Sequence, residues 1–512
     1  MQRKSHHPSP TPAGAQGGTH VKLYIEPKRA LAKRDMMIYG HFLEHFHRQI
    51  YGGVFEPGSP LSDSDGFRAD VLEALARIKA PIIRWPGGCF VSAYDWKEGV
   101  GKRREAVFDK AWRVEEPNTF GTDEYALLCK KLGAEMYICS NAGTGSAEQM
   151  SDWLEYTNLT VGKFARMRKE NGHAEPYGVK YFSIGNENYG SWEIGAKERH
   201  EWARLVTESA KMLKRVDPTV QLTAAALADA DWTMELLKYA GKYLDWVSIH
   251  AYWDSIHATN DHASYEQAMA YTCDLESTLR KTEGLLAALG LEDKIHIAFD
   301  EWNLQGWYHP GIHTDIPETD EDSWLTPRDK NDDNSQYTMT DAVFTACVLN
   351  MFLRHANSVR MANFAPSVNT RGLIYTHKNG IVLRSTYHVF DLFVNRMGET
   401  VVDSWTPDPP VMECAHKWEG LKTVDAIDAV ATLRSDGKLA VSLVNKSADD
   451  SAEIELPLFR KTGTLGTVNG DGVDAYNDVN APDRITIRQT EVDLTKPVTL
   501  QPHSVNVLVC DI

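Results

Sequence analysis

From Met36 onward the chain alternates short apolar runs with longer amphipathic stretches, and that alternation limits its possible folds more than any other feature. Eight runs read as strands: Met36–Leu43, Pro81–Trp85, Glu135–Cys139, Lys180–Ile184, Gln221–Ala225, Trp246–Ile249, Ile295–Phe299 and Val359–Phe364. The stretches between them are helical in period. Arg68–Ile78 spaces Val71, Leu72, Leu75 and Ile78 along one face, and Ala196–Val216 does the same with Trp202, Leu205, Val206 and Met212. Gly133 and Asp217-Pro218 are helix stops. Eight strand–helix units over about 360 residues predict a (β/α)8 TIM barrel at the long end of its range. The alternative is a doubly wound open sheet, but no GxGxxG or phosphate-loop signature follows the first strand.

The texture changes near residue 395. Trp405-Thr-Pro-Asp-Pro-Pro410 reads as a connector, and β-type runs follow at Ala426–Leu433, Leu439–Val444, Ala452–Leu456, Arg484–Arg488 and Ser504–Val509. Ser435-Asp-Gly-Lys438 is a hairpin signal. This part predicts an all-β sandwich of jelly-roll type, to which Val21–Ile25 adds a strand from the other end of the chain. The expected organisation is a disordered tail over 1–20, a strand segment over 21–35 that joins the sandwich, the barrel over 36–394 and the sandwich over 395–512. The sandwich carries no constellation of chemical groups and reads as a packing partner.

Composition removes several classes of function. Lys and Arg total 54 against 71 Asp and Glu, a net charge of -17, which excludes a surface built to neutralise phosphates and so a nucleic-acid partner. The seven cysteines include no CxxC, so no zinc ribbon or redox dithiol is supported. Met1–His20 has Pro, Ser and Gly where a leader would be apolar. The longest apolar run, Ala342–Leu353, is short for a bilayer. The expectation is a cytoplasmic protein with no membrane partner.

In a barrel of this type chemistry collects at the C-terminal ends of the strands. Those ends supply Glu44 and His45, then Arg84, Asn141, Asn186 with Glu187, His250 with Tyr252, Glu301, and Asn363. Glu187 ends the fourth strand and Glu301 the seventh, so the two carboxylates can face each other across the mouth. Glycosidic cleavage uses that arrangement: one carboxyl protonates the leaving oxygen while the other attacks the anomeric carbon or activates water. The bland alternative is that each caps a helix or pairs with an arginine.

Gly40-His-Phe-Leu-Glu-His45, Arg84-Trp-Pro-Gly-Gly-Cys-Phe90, Ile184-Gly-Asn-Glu-Asn188 and Asp300-Glu-Trp-Asn303, in this order, resemble glycoside hydrolase family 51, whose best-known members are α-L-arabinofuranosidases. The resemblance spans residues 21 to 512. It implies a retaining, exo-acting arabinofuranosidase acting on arabinose-containing oligo- or polysaccharides such as arabinoxylan or arabinan, with Glu187 as acid/base and Glu301 as nucleophile. The acid/base must hold a proton before attack while the nucleophile stays ionised. The resemblance further implies that Glu44 binds furanose hydroxyls and that Asn186 touches the sugar 2-OH. Arg84 would orient the nucleophile and favour its charged form. Cys89 matches a pocket cysteine, although a buried thiol is commonly just a small hydrophobe. Tyr252 would donate to the nucleophile or line the sugar site, and His250 is left as structural. No metal or organic cofactor is implied, and assembly as a homo-oligomer, a hexamer in many relatives, is expected.

Two places depart from the family pattern. Ser385 stands where relatives carry a glutamine that touches the sugar, and Tyr189-Gly-Ser-Trp192 replaces a more acidic segment. Leu304–Gln336 reads as a long loop after the nucleophile, with aromatics that favour a lid over the active site. Three rivals remain: a metal-dependent hydrolase built on His45-Phe-His47, a non-catalytic sugar-binding protein, and a family 51 endo-β-glucanase or β-xylosidase using the same carboxylates. The first lacks further ligands on the later strands, and the second would not need both carboxylates.

Overall fold

In the computed structural model, residues 19–256, 263–307, 332–457 and 462–512 are described. Eight parallel strands close a barrel: Gly40–Phe42, Ile82–Trp85, Glu135–Ser140, Tyr181–Ile184, Gln221–Ala225, Trp246–Ile256, His296–Trp307 and Val359–Phe364, called strands one to eight below. Strand eight pairs with strand one through Asn363↔Gly40 and Phe364↔His41 and shuts the ring. The helices expected from period lie at Ala69–Arg77 and Arg199–Val216, ending near Ile78 and Asp217, and Gly133 takes the left-handed conformation that terminates Thr122–Leu132.

Period two along the strands sorts side chains between inside and outside. Ile82, Tyr137, Tyr181, Trp246, Ala298 and Met361 form one closed apolar layer inside the barrel. Two residues further along the same strands come Arg84, Cys139, Ser183, Ser248, Asp300 and Asn363, all buried and nearly all polar. The apolar layer is the floor of the barrel, and the polar layer faces its mouth. Outward residues such as Ile83, Trp85, Ile138, Phe182 and Ile184 join the large core under the helices.

Strand one is shorter than the apolar run that announced it. Met36–Tyr39 forms a 3-10 turn, capped where the Asp35 carboxylate accepts from the Met37 backbone N–H at 2.9 Å, and Met37 plugs the floor layer. Strands six and seven are longer than expected and run on past the barrel as a paired ribbon to Ile256 and Trp307. Leu304–Trp307 are therefore strand, not loop. Residues 308–331, on which the lid expectation falls, lie outside the described residues, and the chain returns at Asp332, which pairs with Arg48 and accepts from the Thr370 backbone.

The C-terminal part packs a seven-stranded sheet against a three-stranded one. Tyr24–Lys33 pairs with Thr400–Trp405 in the larger sheet, and Thr19–Lys22 pairs with Ala452–Glu455 in the smaller. In the inner strand Ser504–Cys510, Leu508 and Cys510 point into the core between the sheets, while Val505 and Val507 join the barrel core. The helix Met339–Arg354 lies against that second face and is buried from Met339 to Leu353. This explains its unbroken apolar run: a helix covered on all sides needs no polar face. Among the described residues no helix is long and apolar enough to cross a membrane. One expected strand is displaced: Arg484–Arg488 gives way to Ile487–Asp493, because Arg484 turns out to pair with Asp471 and Ile485 is tied to Asn477.

Candidate active site

Glu301 reaches the mouth because strand seven carries a bulge. Ser248 pairs with Ala298 but His250 pairs with Glu301, so three residues on strand seven oppose two on strand six. Strict alternation would point Asp300 and Glu301 to opposite faces; the extra residue turns both inward. Asp300 is fully buried, accepting from Tyr137 Oη and Ser248 Oγ at 2.6 Å each, with Arg84 Nε at 3.4 Å. Burial alone would raise its pKa, but the Arg84 charge and the bonds from His250 and Ser248 outweigh it and hold it below the usual range.

Glu301 accepts from Arg84 Nη1 at 2.8 Å on one oxygen and from Tyr252 Oη at 2.7 Å on the other. Arg84 also donates through Nη2 to Asn186 Oδ1 at 2.7 Å. One fully buried guanidinium thus fixes the Glu301 carboxylate, Asp300 and the Asn186 amide together, which a lysine could not do.

Glu187 follows strand four in the left-handed conformation, φ +42°, after Gly185 at φ +74°. A Cβ on Gly185 would sit 2.1 Å from Asn188 Oδ1 and 2.7 Å from the Trp202 ring, so the sharp turn that presents Glu187 requires glycine there. His250 Nδ1 meets Glu187 Oε1 at 2.8 Å, and Trp192 Nε1 donates to Oε2 at 2.8 Å. The other His250 nitrogen faces Asp300 at 3.3 Å, and Nδ1 is 3.6 Å from Glu301. Burial would lower the His250 pKa, but the Glu301 charge and the bonds to Asp300 and Glu187 raise it to about 10. It is an imidazolium at neutral pH, bridging strands four and seven.

Glu44 sits at the end of strand one, its Oε1 accepting from the Phe90 N–H at 3.0 Å and the Trp112 indole at 2.9 Å. Gly87, at φ +132°, lets it pack there: a Cβ would come within 2.2 Å of Glu44 Cγ. Burial and the nearby Glu301 charge raise the Glu44 pKa to about 8. Cys89 is buried beside these groups, and burial with the charges of Glu193, Glu187 and Glu44 raises its thiol pKa well above the ordinary value. The thiol is neutral and no nucleophile.

The structure therefore gathers Glu44, Arg84, Cys89, Asn186, Glu187, Tyr252 and Glu301 in one pocket. Asn141 and Asn363 are not part of it: Asn141 holds its own turn by accepting from three backbone N–H groups, and Asn363 donates to the His41 carbonyl. Ser385 is buried and donates to the Thr338 carbonyl at 2.6 Å. His45 is engaged by an aromatic and acidic cluster. It is stacked on Phe90 at 4.5 Å, takes the Trp85 indole N–H at 3.0 Å, and lies 3.2 Å from Glu116.

Residues 74–270 match the family described as Alpha-L-arabinofuranosidase 1 domain, and residues 300–504 match Alpha-L-arabinofuranosidase C-terminal domain. Alpha-L-arabinofuranosidase C of Emericella nidulans is 34% identical over 505 residues, covering 94% of this chain and 96% of its own. The thermostable GH51 α-L-arabinofuranosidase of Thermotoga petrophila superposes with a TM-score of 0.83 at 34% identity, over 96% of this chain and 100% of its own. The chain belongs to the α-L-arabinofuranosidases of glycoside hydrolase family 51. A further arabinofuranosidase, the intracellular exo-α-(1→5)-L-arabinofuranosidase of Acetivibrio thermocellus, is 34% identical over 442 residues, covering 83% of this chain and 85% of its own.

Sequence reasoning missed several residues of this arabinofuranosidase pocket. His250, which the sequence marks only as structural, joins Glu187 to Asp300. Trp192, marked in the sequence only as the end of a segment that departs from the family pattern, bonds Glu187 directly. Glu193 lies one position beyond the segment Tyr189–Trp192 that departs from the family pattern. Its signal was an extra acid six residues after Glu187, in a loop too short to leave the mouth.

Proposed function

We propose that this arabinofuranosidase is a retaining, exo-acting enzyme that removes terminal arabinofuranosyl groups from arabinoxylan, arabinan or their oligosaccharides. The observation that carries the mechanism is the closeness of the two carboxylates. Glu187, His250 and Glu301 each offer an atom within 4.8 Å of the others. Retaining enzymes keep their carboxyls about 5–5.5 Å apart, while inverting ones leave room for a water at about 6.5–9.5 Å.

In this reading Glu301, held by Arg84 and Tyr252, attacks the anomeric carbon, and Glu187 gives its proton to the leaving oxygen. Water then takes the proton path in reverse through Glu187 and releases arabinose. Glu44 and Asn186 bind furanose hydroxyls. The exo preference draws support from the Acetivibrio relative, which is itself an exo-acting arabinofuranosidase. The endo-β-glucanase or β-xylosidase alternative uses the same pair, and a panel of p-nitrophenyl glycosides separates them: the α-L-arabinofuranoside is expected to be cleaved fastest.

The mechanism is tested by variants. Glu301→Ala is expected to lose at least about 10⁴-fold in kcat. Glu187→Ala should lose much less on activated aryl substrates than on natural ones, and added azide should restore turnover as a glycosyl azide of inverted configuration relative to the intermediate. Wild-type activity of Glu187→Ala on a poor leaving group would remove Glu187 from the acid/base role.

A further inference from the structure

Behind the two carboxylates lies a third that the mechanism above does not use. Glu193, 4% exposed, follows Trp192 on the loop after strand four. Its Oε2 lies 3.3 Å from Asn186 Nδ2, which donates to it. The opposite side of the same amide, Oδ1, accepts from Arg84. Asn186 is therefore gripped at both ends, by a guanidinium on its oxygen and a carboxyl on its nitrogen, and cannot flip. The Glu193 carboxyl, the Cys89 sulfur and the Glu187 carboxyl all have atoms within 4.8 Å of one another.

We propose that Glu193 is a positioning residue for the glycosidase reaction, fixing the Asn186 amide for the sugar and placing a carboxyl against Glu187. The proposal rests on the functional reading above and deepens it.

The groups facing Glu193 are few. The Ser92 hydroxyl and Cys89 thiol, from the turn after strand two, favour its ionised form, while Glu187 and Glu301 disfavour it. Tyr189 on its own loop and Cys139 on strand three also feel its charge, and Arg84 and His250 stand behind Asn186 and Glu187. Burial, opposed by Ser92 and Cys89 and reinforced by the two carboxylates, raises its pKa to about 7. The group therefore ionises near neutral pH. When it does, a second negative charge beside Glu187 makes Glu187 hold its proton to higher pH. Ionised Glu193 thus keeps the acid form of Glu187 available as the solution becomes alkaline.

The test compares Glu193→Gln and Glu193→Ala with wild type, each as the full chain, on p-nitrophenyl α-L-arabinofuranoside from pH 4 to 10. Glu193→Gln still accepts from Asn186 through its amide oxygen, so at pH 5.5, where the wild-type carboxyl is neutral, its kcat should stay within about twofold. Its alkaline limb in kcat/KM should move to lower pH by about one unit. Glu193→Ala frees the Asn186 amide, and kcat should fall about 30-fold with KM changed less than threefold, because the 2-OH contact tightens in the transition state. An unmoved alkaline limb in the glutamine variant, or wild-type kcat in the alanine variant, would overturn the proposal. If the alanine variant fails to fold, the glutamine profile still decides. Azide rescue of Glu187→Ala keeps the two readings apart: its failure removes the acid/base assignment, while its success alongside an unmoved Glu193→Gln profile removes only this one.

Discussion

Two histidines with raised pKa values, one enclosed in the barrel mouth and one half-buried at a seam, sit in clusters of opposite character. At the barrel mouth, His250 and Arg84 face five carboxyl groups: Glu44, Glu187, Glu193, Asp300 and Glu301. On the seam between barrel and sandwich, His355 lies among Glu276, Glu283, Asp428, Arg280 and Arg354. There Arg354 at the end of its helix reaches Glu276 Oε1 and Asp428 Oδ1 at 2.7 Å each, tying the barrel to the strand Ile427–Leu433 of the sandwich. The seam is balanced, three acids against three cations, and its carboxylates respond accordingly. Bonds from His355 and the Arg354 charge hold Glu276 well below the ordinary range, and His355 with Ser358 outweigh burial to hold Glu283 below it too. At the mouth, burial reinforced by neighbouring carboxylates pushes two of the carboxyls, Glu44 and Glu193, up instead. Opposite charges placed to satisfy one another make structure; like charges forced together leave protons poised to move.

The largest break in that comparison should come from Glu44→Gln. The substitution preserves shape and removes the carboxylate that is proposed to grip the sugar. Activity on p-nitrophenyl α-L-arabinofuranoside should fall about 100-fold, ~2.7 kcal/mol of transition-state stabilisation. Stability should move the other way with pH. A carboxyl whose folded pKa is raised from 4.5 to about 8 makes the folded state bind its proton more tightly, so its ionisation costs stability as pH climbs between those values. The variant escapes that cost. Its Tm at pH 8 should equal or exceed that of wild type, while a clear drop would mean that Glu44 holds the pocket together.

Little of this contrast was legible in the sequence. The barrel announced itself because buried strands are apolar runs, and the polar residues at their ends stood out against them. The Asp300–Glu301 pair did not read as two inward groups, since period two assigns neighbours to opposite faces and a bulge leaves no mark in composition. Met36–Tyr39 passed for strand because a turn that plugs the barrel floor is as apolar as a strand. The seam was invisible for a different reason. Glu276, Arg354 and Asp428 are separated by more than seventy residues at each step, and each alone looks like an ordinary surface charge. The polar strand Ile487–Asp493, mostly exposed, offered no alternation to find.

Arg354→Ala should invert the Glu44 result. The Arg354 side chain is a third exposed, so solvent screening reduces what its pairs contribute. Removing it nevertheless leaves Glu276 and Asp428 underpaired at the junction. Unfolding free energy should drop by about 2 kcal/mol, read from urea denaturation, while kcat/KM stays within twofold. A fall in kcat/KM without loss of stability would show that the seam communicates with the mouth.

The smallest effect belongs to His355 and concerns pH alone. Burial would lower its pKa, but the bonds to Glu276 and Glu283 raise it from 6.5 to about 9. The folded protein therefore holds a proton on His355 that the unfolded chain releases between those values. The stabilisation is complete below pH 6.5 and is lost as pH rises through 9, because the neutral ring no longer pairs with the two acids. Partial exposure limits the loss to about 1 kcal/mol. Between pH 7 and 9.5 the urea midpoint of wild type should fall, and in His355→Gln that fall should be smaller, starting from a lower midpoint at pH 7. Parallel profiles for the two proteins would mean that His355 keeps no extra proton in the folded state, and the likeness between the two histidines would end there.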